Sequence, residues 1–266
     1  MYDLKKIKAR LEDLGASPKK SLGQNFLVNP EAIKKILALV VNLRPESLIE
    51  VGPGLGALTE GLILYGKPLL LIELDRAFAQ YWRNLGVRVW EEDALRSNWN
   101  QTELQAPIAL VSNLPYQISA SLVIDRSIEP AGVEWMILMF QKEVAQRITA
   151  GPRTKDYGLL SVMAQSFWKL EKLLEVSSKD FYPPPQVASR VLVFRRQKHT
   201  PNARFLPFMK AAFAQRRKLL LKNLTSRYDI GSLEESFQRL ELEPRARAEE
   251  ISVEKYRQLF ESLEGP

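Results

Sequence analysis

The chain has 266 residues, 45% hydrophobic and 26% charged, which is enough for a full core and describes an ordinary globular protein. It contains no cysteine, which excludes disulfides and thiolate metal sites, and no apolar run reaches the roughly 18 residues that a membrane span requires. The formal net charge of +7 points to a polyanionic partner, because residues 195–227 carry ten Lys or Arg and no acid. A second basic cluster comprises Lys5, Lys6, Lys8, Arg10, Lys19 and Lys20. The first residues lack the apolar stretch of a secretory signal, so a cytoplasmic protein is expected.

In chain order, a short amphipathic helix and a polar segment at 17–29 fill the first 30 residues. Pro30 suits the first turn of a helix, and Ile33, Ile36, Leu37 and Val40 fall on one face of a helix over 31–41. Short apolar runs then alternate with helical stretches, predicting strands at 48–51, 69–72, 87–90, 108–111, 135–140 and 191–194. This alternation predicts an α/β fold with a mostly parallel sheet and helices on both faces. Pro201, Asn202 and Pro207 interrupt the pattern, and beyond them only helical periodicity is seen, over 208–221, 232–240 and 253–263. The expected organisation is a doubly wound domain over 1–200 followed by a small helical domain over 201–266.

The segment Glu50-Val51-Gly52-Pro53-Gly54-Leu55-Gly56 stands where the first long strand gives way to a helix. Glycines there, including Gly52 and Gly54, permit a tight turn and close approach of a ligand. No Gly-Lys-Ser/Thr follows, which argues against a nucleoside-triphosphate loop. Glu73 ends the second strand of the series, where a ribose diol would be held. Asp93 follows the third and Asn113 the fourth, so four successive strand ends offer Gly52, Glu73, Asp93 and Asn113 along one rim. A nicotinamide enzyme would use the first two; all four better fit a nucleoside lying across the sheet, and acidic acceptors suit a cationic cofactor. Asp75 reads as a plain helix N-cap.

The fourth strand end continues as Asn113-Leu114-Pro115-Tyr116. An amide, exposed carbonyls and a ring delivered in one turn can hold a planar exocyclic amine, with acceptors at its edge and an aromatic face beneath it. Pro115 fixes its own φ and biases Leu114 away from helix, which stiffens the turn.

With these residues assembled, the chain resembles the small-subunit ribosomal RNA adenine dimethyltransferases of bacteria over nearly its whole length. The resemblance rests on Lys20-Ser21-Leu22-Gly23-Gln24-Asn25-Phe26-Leu27, the glycine segment, Glu73-Leu74-Asp75, Asp93-Ala94-Leu95 and Asn113-Leu114-Pro115-Tyr116. It extends to Gln141-Lys142-Glu143-Val144-Ala145, Tyr157-Gly158, Phe181-Tyr182-Pro183-Pro184-Pro185-Gln186-Val187 and Ala212-Phe213-Ala214-Gln215-Arg216-Arg217-Lys218. It implies a Rossmann-like class I methyltransferase fold with S-adenosylmethionine as cofactor. The implied substrate is two adjacent adenosines near the 3′ end of 16S rRNA in the small ribosomal subunit.

By motif position the resemblance implies cofactor contacts at Asn25, Leu27, Gly52, Gly54, Glu73, Asp93 and Asn113, with residues 1–30 supplying a lid in which Gln24 and Asn25 form hydrogen bonds. Asn113, Leu114, Pro115 and Tyr116 are the expected catalytic turn, with Tyr116 stacked on one face of an extruded base and Phe181 on the other or at its edge. Arg216, Arg217, Lys218 and Lys222 are expected to contact RNA phosphates from a basic helix, and no metal is expected. A monomer is expected. Alternatives are a 23S rRNA adenine methylase of the antibiotic-resistance type, a non-catalytic assembly factor and a nicotinamide oxidoreductase.

Overall fold

The structure is a computed structural model that describes residues 4–199 and 202–265. Pro201 and the expected cut between 200 and 201 lie outside the described residues. No helix among the described residues is long and apolar enough to cross a membrane.

Helix α1 (Leu4–Asp13) buries Ile7 and Leu11 and carries its lysines outward. A two-residue strand, β1 (Phe26–Leu27), precedes α2 (Pro30–Leu43). The Asn29 side chain accepts the Ala32 N–H at 2.9 Å to cap α2, and Ile33, Ile36 and Val40 form its buried face. Full burial of each such aliphatic side chain contributes roughly 1.5–3 kcal/mol. The chain then alternates through β2 (Ser47–Val51), α3 (Thr59–Leu64), β3 (Leu69–Ile72), α4 (Arg76–Asn84), β4 (Arg88–Trp90), β5 (Ile108–Asn113), α5 (Ser119–Ile128) and β6 (Val133–Gln141). Next come α6 (Lys142–Thr149), α7 (Leu159–Phe167), β7 (Trp168–Val176), β8 (Phe181–Tyr182) and β9 (Ser189–Arg196).

Seven strands form one sheet in the order β4-β3-β2-β5-β6-β9-β7. Its first five strands are mutually parallel, and β9 runs antiparallel to β6. Strands β2 and β5 are buried almost throughout, which is why they read as continuous apolar runs rather than alternating ones. All six strands expected from sequence are present. Three more are not in that reading: β7, and the pair β1 and β8, which form a separate two-stranded antiparallel ladder.

The remaining helices are α8 (Phe205–Ala212), α9 (Leu220–Leu224), α10 (Ile230–Arg239) and α11 (Val253–Glu264). The single helix expected over 208–221 is corrected: residues 213–219 leave the helix and turn. Non-local bonds hold that turn. The Asn223 side chain donates to the carbonyls of Ala212 and Gln215, and Leu219 bridges to Arg247.

Contacts divide the chain into two compact units that are not separated by one cut. The first comprises 1–126, 130–145 and 170–196; the second comprises 127–129, 146–169 and 197–266. Helix α7 therefore packs with the C-terminal helices α8 and α11. Its buried residues Leu160, Val162, Met163, Ala164 and Phe167 supply the apolar face that earns it this place.

Candidate active site

The site lies within the first unit, at the carboxyl ends of the parallel strands. The Gly52 N–H donates to the Ile72 carbonyl at 2.9 Å, and the Glu73 N–H to the Trp90 carbonyl at 2.9 Å. These bonds carry the parallel registers one residue past the strands, so β2, β3 and β4 end level. The open rim forms a cleft whose empty space, open solvent at its mouth included, is about 1020 Å³. Asn25, Leu27, Gly52, Gly54, Glu73, Asp93 and Asn113 all line it, together with Leu114, Pro115 and Tyr116.

Four acidic side chains, Glu50, Glu73, Glu92 and Asp93, line this cleft, and among the described residues no Lys, Arg or His does so. Glu73 is 6% exposed; its two oxygens accept the N–H groups of Gly54 at 3.1 Å and Asp75 at 2.8 Å. Each oxygen retains a lone pair for a further donor. Burial raises the Glu73 pKa to about 7, against the lowering effect of those backbone bonds. Glu50 is buried more deeply and is pushed up to about 8, again mainly by desolvation. Among the described residues its Oε2 makes no well-formed hydrogen bond, and the Thr59 hydroxyl is its polar neighbour. Asp93 bonds the Leu95 N–H at 2.9 Å through Oδ1, so it both shapes its loop and offers an acceptor to the cleft.

The glycine turn is close-packed. Gly52 has φ +65°, and a Cβ there would stand 3.2 Å from the Pro115 ring. Glycine thus lets the turn after β2 touch the turn after β5. The Arg10 guanidinium of α1 donates to the Leu55 carbonyl and pairs with Glu60, which ties the N-terminal helix to the glycine segment.

The amide of Asn113 is oriented by a residue far away in sequence. Its Nδ2 donates to the Asn25 carbonyl at 2.9 Å, which leaves Oδ1 as the acceptor available to the cleft. Leu114 is buried, and Pro115 accepts the Ile118 N–H at 3.2 Å to close the turn. The Tyr116 hydroxyl bonds Ser189 Oγ at 2.9 Å, which anchors the ring at its far end, and burial raises the phenol's pKa.

Phe181 sits deeper than the rim residues Gly52, Glu73, Asp93 and Asn113. It is 3% exposed, packs in the apolar core with Leu27 and Val176, pairs with Leu27 in the β1–β8 ladder, and is not among the residues lining the cleft. It thus packs beside Leu27, which does line the cleft.

In the second unit, Arg216, Arg217, Lys218 and Lys222 are exposed, but the first three stand on the 213–219 turn rather than on a helix. Arg216 pairs with Glu249 at 2.5 Å and donates to the Lys155 carbonyl at 2.7 Å, so its charge is partly satisfied within the protein. Arg217, Lys218 and Lys222 make no ion pair among the described residues, which leaves their charges to solvent.

Sequence reasoning passed over Glu50 although it opens the glycine motif; its position inside a buried strand end was the available signal. It gave Asp75 only a capping role. Asp75 does accept the Ala77 N–H at 3.1 Å, but its other oxygen takes Lys19 at 3.0 Å and Gln24 at 2.9 Å. Nothing local marks Ser189.

Residues 15–265 match the family model described as ribosomal RNA adenine dimethylase. The ribosomal RNA small subunit methyltransferase A of Bdellovibrio bacteriovorus is 49% identical to this chain, and the match covers 97% of each. Among solved structures, the 23S rRNA methyltransferase ErmE is 25% identical, with a TM-score of 0.64 over 90% of this chain and 99% of that one. A dimethyladenosine transferase from Plasmodium falciparum, 21% identical, shares the fold at a TM-score of 0.69 over 88% of this chain and 96% of that one. A match of this length and identity has one consequence for classification: the chain belongs to the ribosomal RNA adenine dimethylase family.

Proposed function

We propose that the protein transfers methyl groups from S-adenosylmethionine to the N6 amines of two adjacent adenosines near the 3′ end of 16S rRNA, in the small ribosomal subunit, acting as a cytoplasmic monomer. The observation that carries this reading is the acidic, cation-free cleft beside Asn113-Leu114-Pro115-Tyr116. Glu92 and Asp93 bring negative charge to the cleft and no Lys, Arg or His among the described residues lines it, which disfavours the pyrophosphate of a nicotinamide dinucleotide there. A cofactor with a sulfonium and an ammonium group suits the same lining. The 49% identity to a small-subunit enzyme, against 25% to a 23S enzyme, favours 16S rRNA.

The donor set fits this cofactor. Glu73 would accept from the ribose hydroxyls, Asp93 from the adenine amine, and Gly52 and Gly54 admit close backbone approach; Asn25 and Leu27 complete the wall. When bound, S-adenosylmethionine supplies a methyl group already activated on sulfur, so the protein's task is geometry. Asn113 Oδ1 and the Leu114 carbonyl accept the two hydrogens of the adenine amine, which favours a pyramidal nitrogen with its lone pair free. Tyr116 stacks on the extruded base, and the rigid Pro115 fixes the spacing. The methylated nitrogen becomes cationic and loses its proton to water, so a strong general base is not required. In-line positioning of this kind can supply roughly 7–11 kcal/mol of the barrier.

Mass spectrometry of adenosines from undermethylated small subunits, after incubation with the protein and cofactor, tests the reading. Dimethyladenosine is expected on 16S rRNA and not on 23S rRNA tested in parallel. Asn113→Ala is expected to lower turnover far more than RNA affinity; equal losses in both would remove Asn113 from the chemistry.

A further inference from the structure

We propose that Gln24 and Asp75 form a latch that positions Asn113 for methyl transfer. This rests on the function proposed above and deepens it. Asp75 is 3% exposed, and its two oxygens serve separate tasks. Oδ1 caps α4 through the Ala77 N–H at 3.1 Å. Oδ2 accepts from Gln24 Nε2 at 2.9 Å and Lys19 Nζ at 3.0 Å, and capping alone needs neither contact.

The Gln24 amide is fixed from both ends. Its Nε2 is held by Asp75, and its Oε1 accepts the Lys19 N–H at 2.8 Å, so the amide has one orientation. Gly23, at φ +63°, turns the chain sharply just before this residue. The next residue is Asn25, whose side chain folds back to the Gly23 carbonyl at 3.1 Å. Its own carbonyl is thereby presented to Asn113 Nδ2 at 2.9 Å.

Downstream, Phe26 and Leu27 pair with Tyr182 and Phe181, so the segment is pinned at Asp75 on one side and at β8 on the other. The latch thus acts on Asn113 through a single carbonyl. With the Asn25 carbonyl in place, only the NH2 end of Asn113 can face it, and Oδ1 is left to the amine. Without it the amide is free to turn its NH2 toward the amine, where like donors repel.

The latch also adjoins the cofactor rim, because the Asp75 N–H is one of the two that hold Glu73. A lid that merely retains cofactor and a latch that aims Asn113 make different demands. The first changes cofactor affinity; the second changes turnover with cofactor and RNA both saturating.

The test uses the full chain with Gln24→Ala, Asp75→Asn and the pair Gln24→Glu with Asp75→Asn. In Asp75→Asn the new NH2 faces the Gln24 NH2, and in the double variant it faces a carboxylate, which restores a donor–acceptor pair. Gln24→Ala is expected to lower kcat on the order of tenfold at saturating cofactor and RNA, the loss of about one net hydrogen bond, with RNA affinity unchanged. The double variant is expected to recover kcat relative to Asp75→Asn. An independent readout is the 15N side-chain amide signal of Asn113, assigned by its absence in Asn113→Asp. In Gln24→Ala that signal is expected to move toward the free-amide position and to exchange faster with solvent. An unmoved signal, or a loss confined to cofactor affinity at wild-type kcat, overturns the latch. If wild-type protein methylates no 16S rRNA, the functional reading falls, while the amide signal still decides the latch.

Discussion

Replacing Gly56 by alanine is the sharpest test of how the glycine turn is held. Gly56 has φ +91°, and a Cβ built there would lie 2.5 Å from Cη2 and Cζ2 of Trp82. Carbon atoms in contact prefer about 3.5–4.0 Å, so the indole must shift by roughly an ångström. It has little room: Trp82 is 1% exposed, its Nε1 donates to the Gly54 carbonyl at 2.9 Å, and its ring meets Tyr81 edge-on. A side chain in left-handed backbone costs about 1–2 kcal/mol, and overpacking a filled core costs about 1–3 kcal/mol more, giving about 2–5 kcal/mol in all. Gly66 provides the control, since its φ is +77° but a Cβ there would meet nothing within 4 Å. Gly66→Ala should therefore show only the backbone cost, about 1–2 kcal/mol. Urea unfolding of both variants reads the difference, and S-adenosylmethionine titration reads its consequence. Gly56→Ala is expected to be the less stable by about 1–3 kcal/mol and to bind cofactor more weakly, because displacing Trp82 disturbs the Gly54 carbonyl. Equal destabilisation by the two substitutions, or wild-type cofactor affinity in Gly56→Ala, would refute the reasoning.

The raised pKa values of Glu50, about 8, and Glu73, about 7, set a signed pH dependence. The folded chain keeps protons that unfolded carboxyls release near 4.5, so stability from these groups falls as pH rises from about 4.5 to about 8. Glu50→Gln is expected to raise the urea midpoint above pH 8 and leave it unchanged near pH 4; a uniform shift would contradict this. Cofactor affinity is expected to rise with pH up to about 7 through ionisation of Glu73, and titrations of Glu73→Gln should lose that slope. For RNA, Lys218→Glu and Lys222→Glu should each reduce the slope of log affinity against log salt by about one, whereas an unchanged slope assigns the patch to solvation. Tyr116→Phe should keep most activity, since Ser189 anchors only the hydroxyl. Tyr116→Ala should cost kcat/KM about 1–3 kcal/mol of stacking, read by single-turnover methylation.

The rim of the sheet was legible because its signals are local: each buried run ends in one residue with its own chemistry. Gly52, Glu73 and Asn113 stand where periodicity put them, and parallel registers bring them level. Strand β7 was missed because Trp168-Lys169-Leu170-Glu171-Lys172-Leu173-Leu174-Glu175-Val176 mixes its charges at helical spacing. It lies at the end of the sheet order, where Lys and Glu also discourage pairing with another chain. The turn at 213–219 fooled the reading for the opposite reason. Ala, Gln, Arg and Lys favour helix, yet Asn223 and Arg247 from later in the chain hold it open. The orientation of Asn113 and the anchoring of Tyr116 depend on residues 88 and 73 positions away, and no local pattern encodes such partners. Phe181 was placed by motif, but the motif is silent on how tightly β8 would bury it.

The interleaving of the two compact units has a consequence for recombination. A single crossover near residue 200 would transfer α8 to α11 but leave α7, with its buried Leu160, Met163 and Phe167, to a foreign partner. Exchange of the helical unit between relatives must carry 127–129 and 146–169 with it. Chimaeras that respect those junctions should keep a native α7 interface, so the block that exchanges as a unit is one that the linear gene does not display.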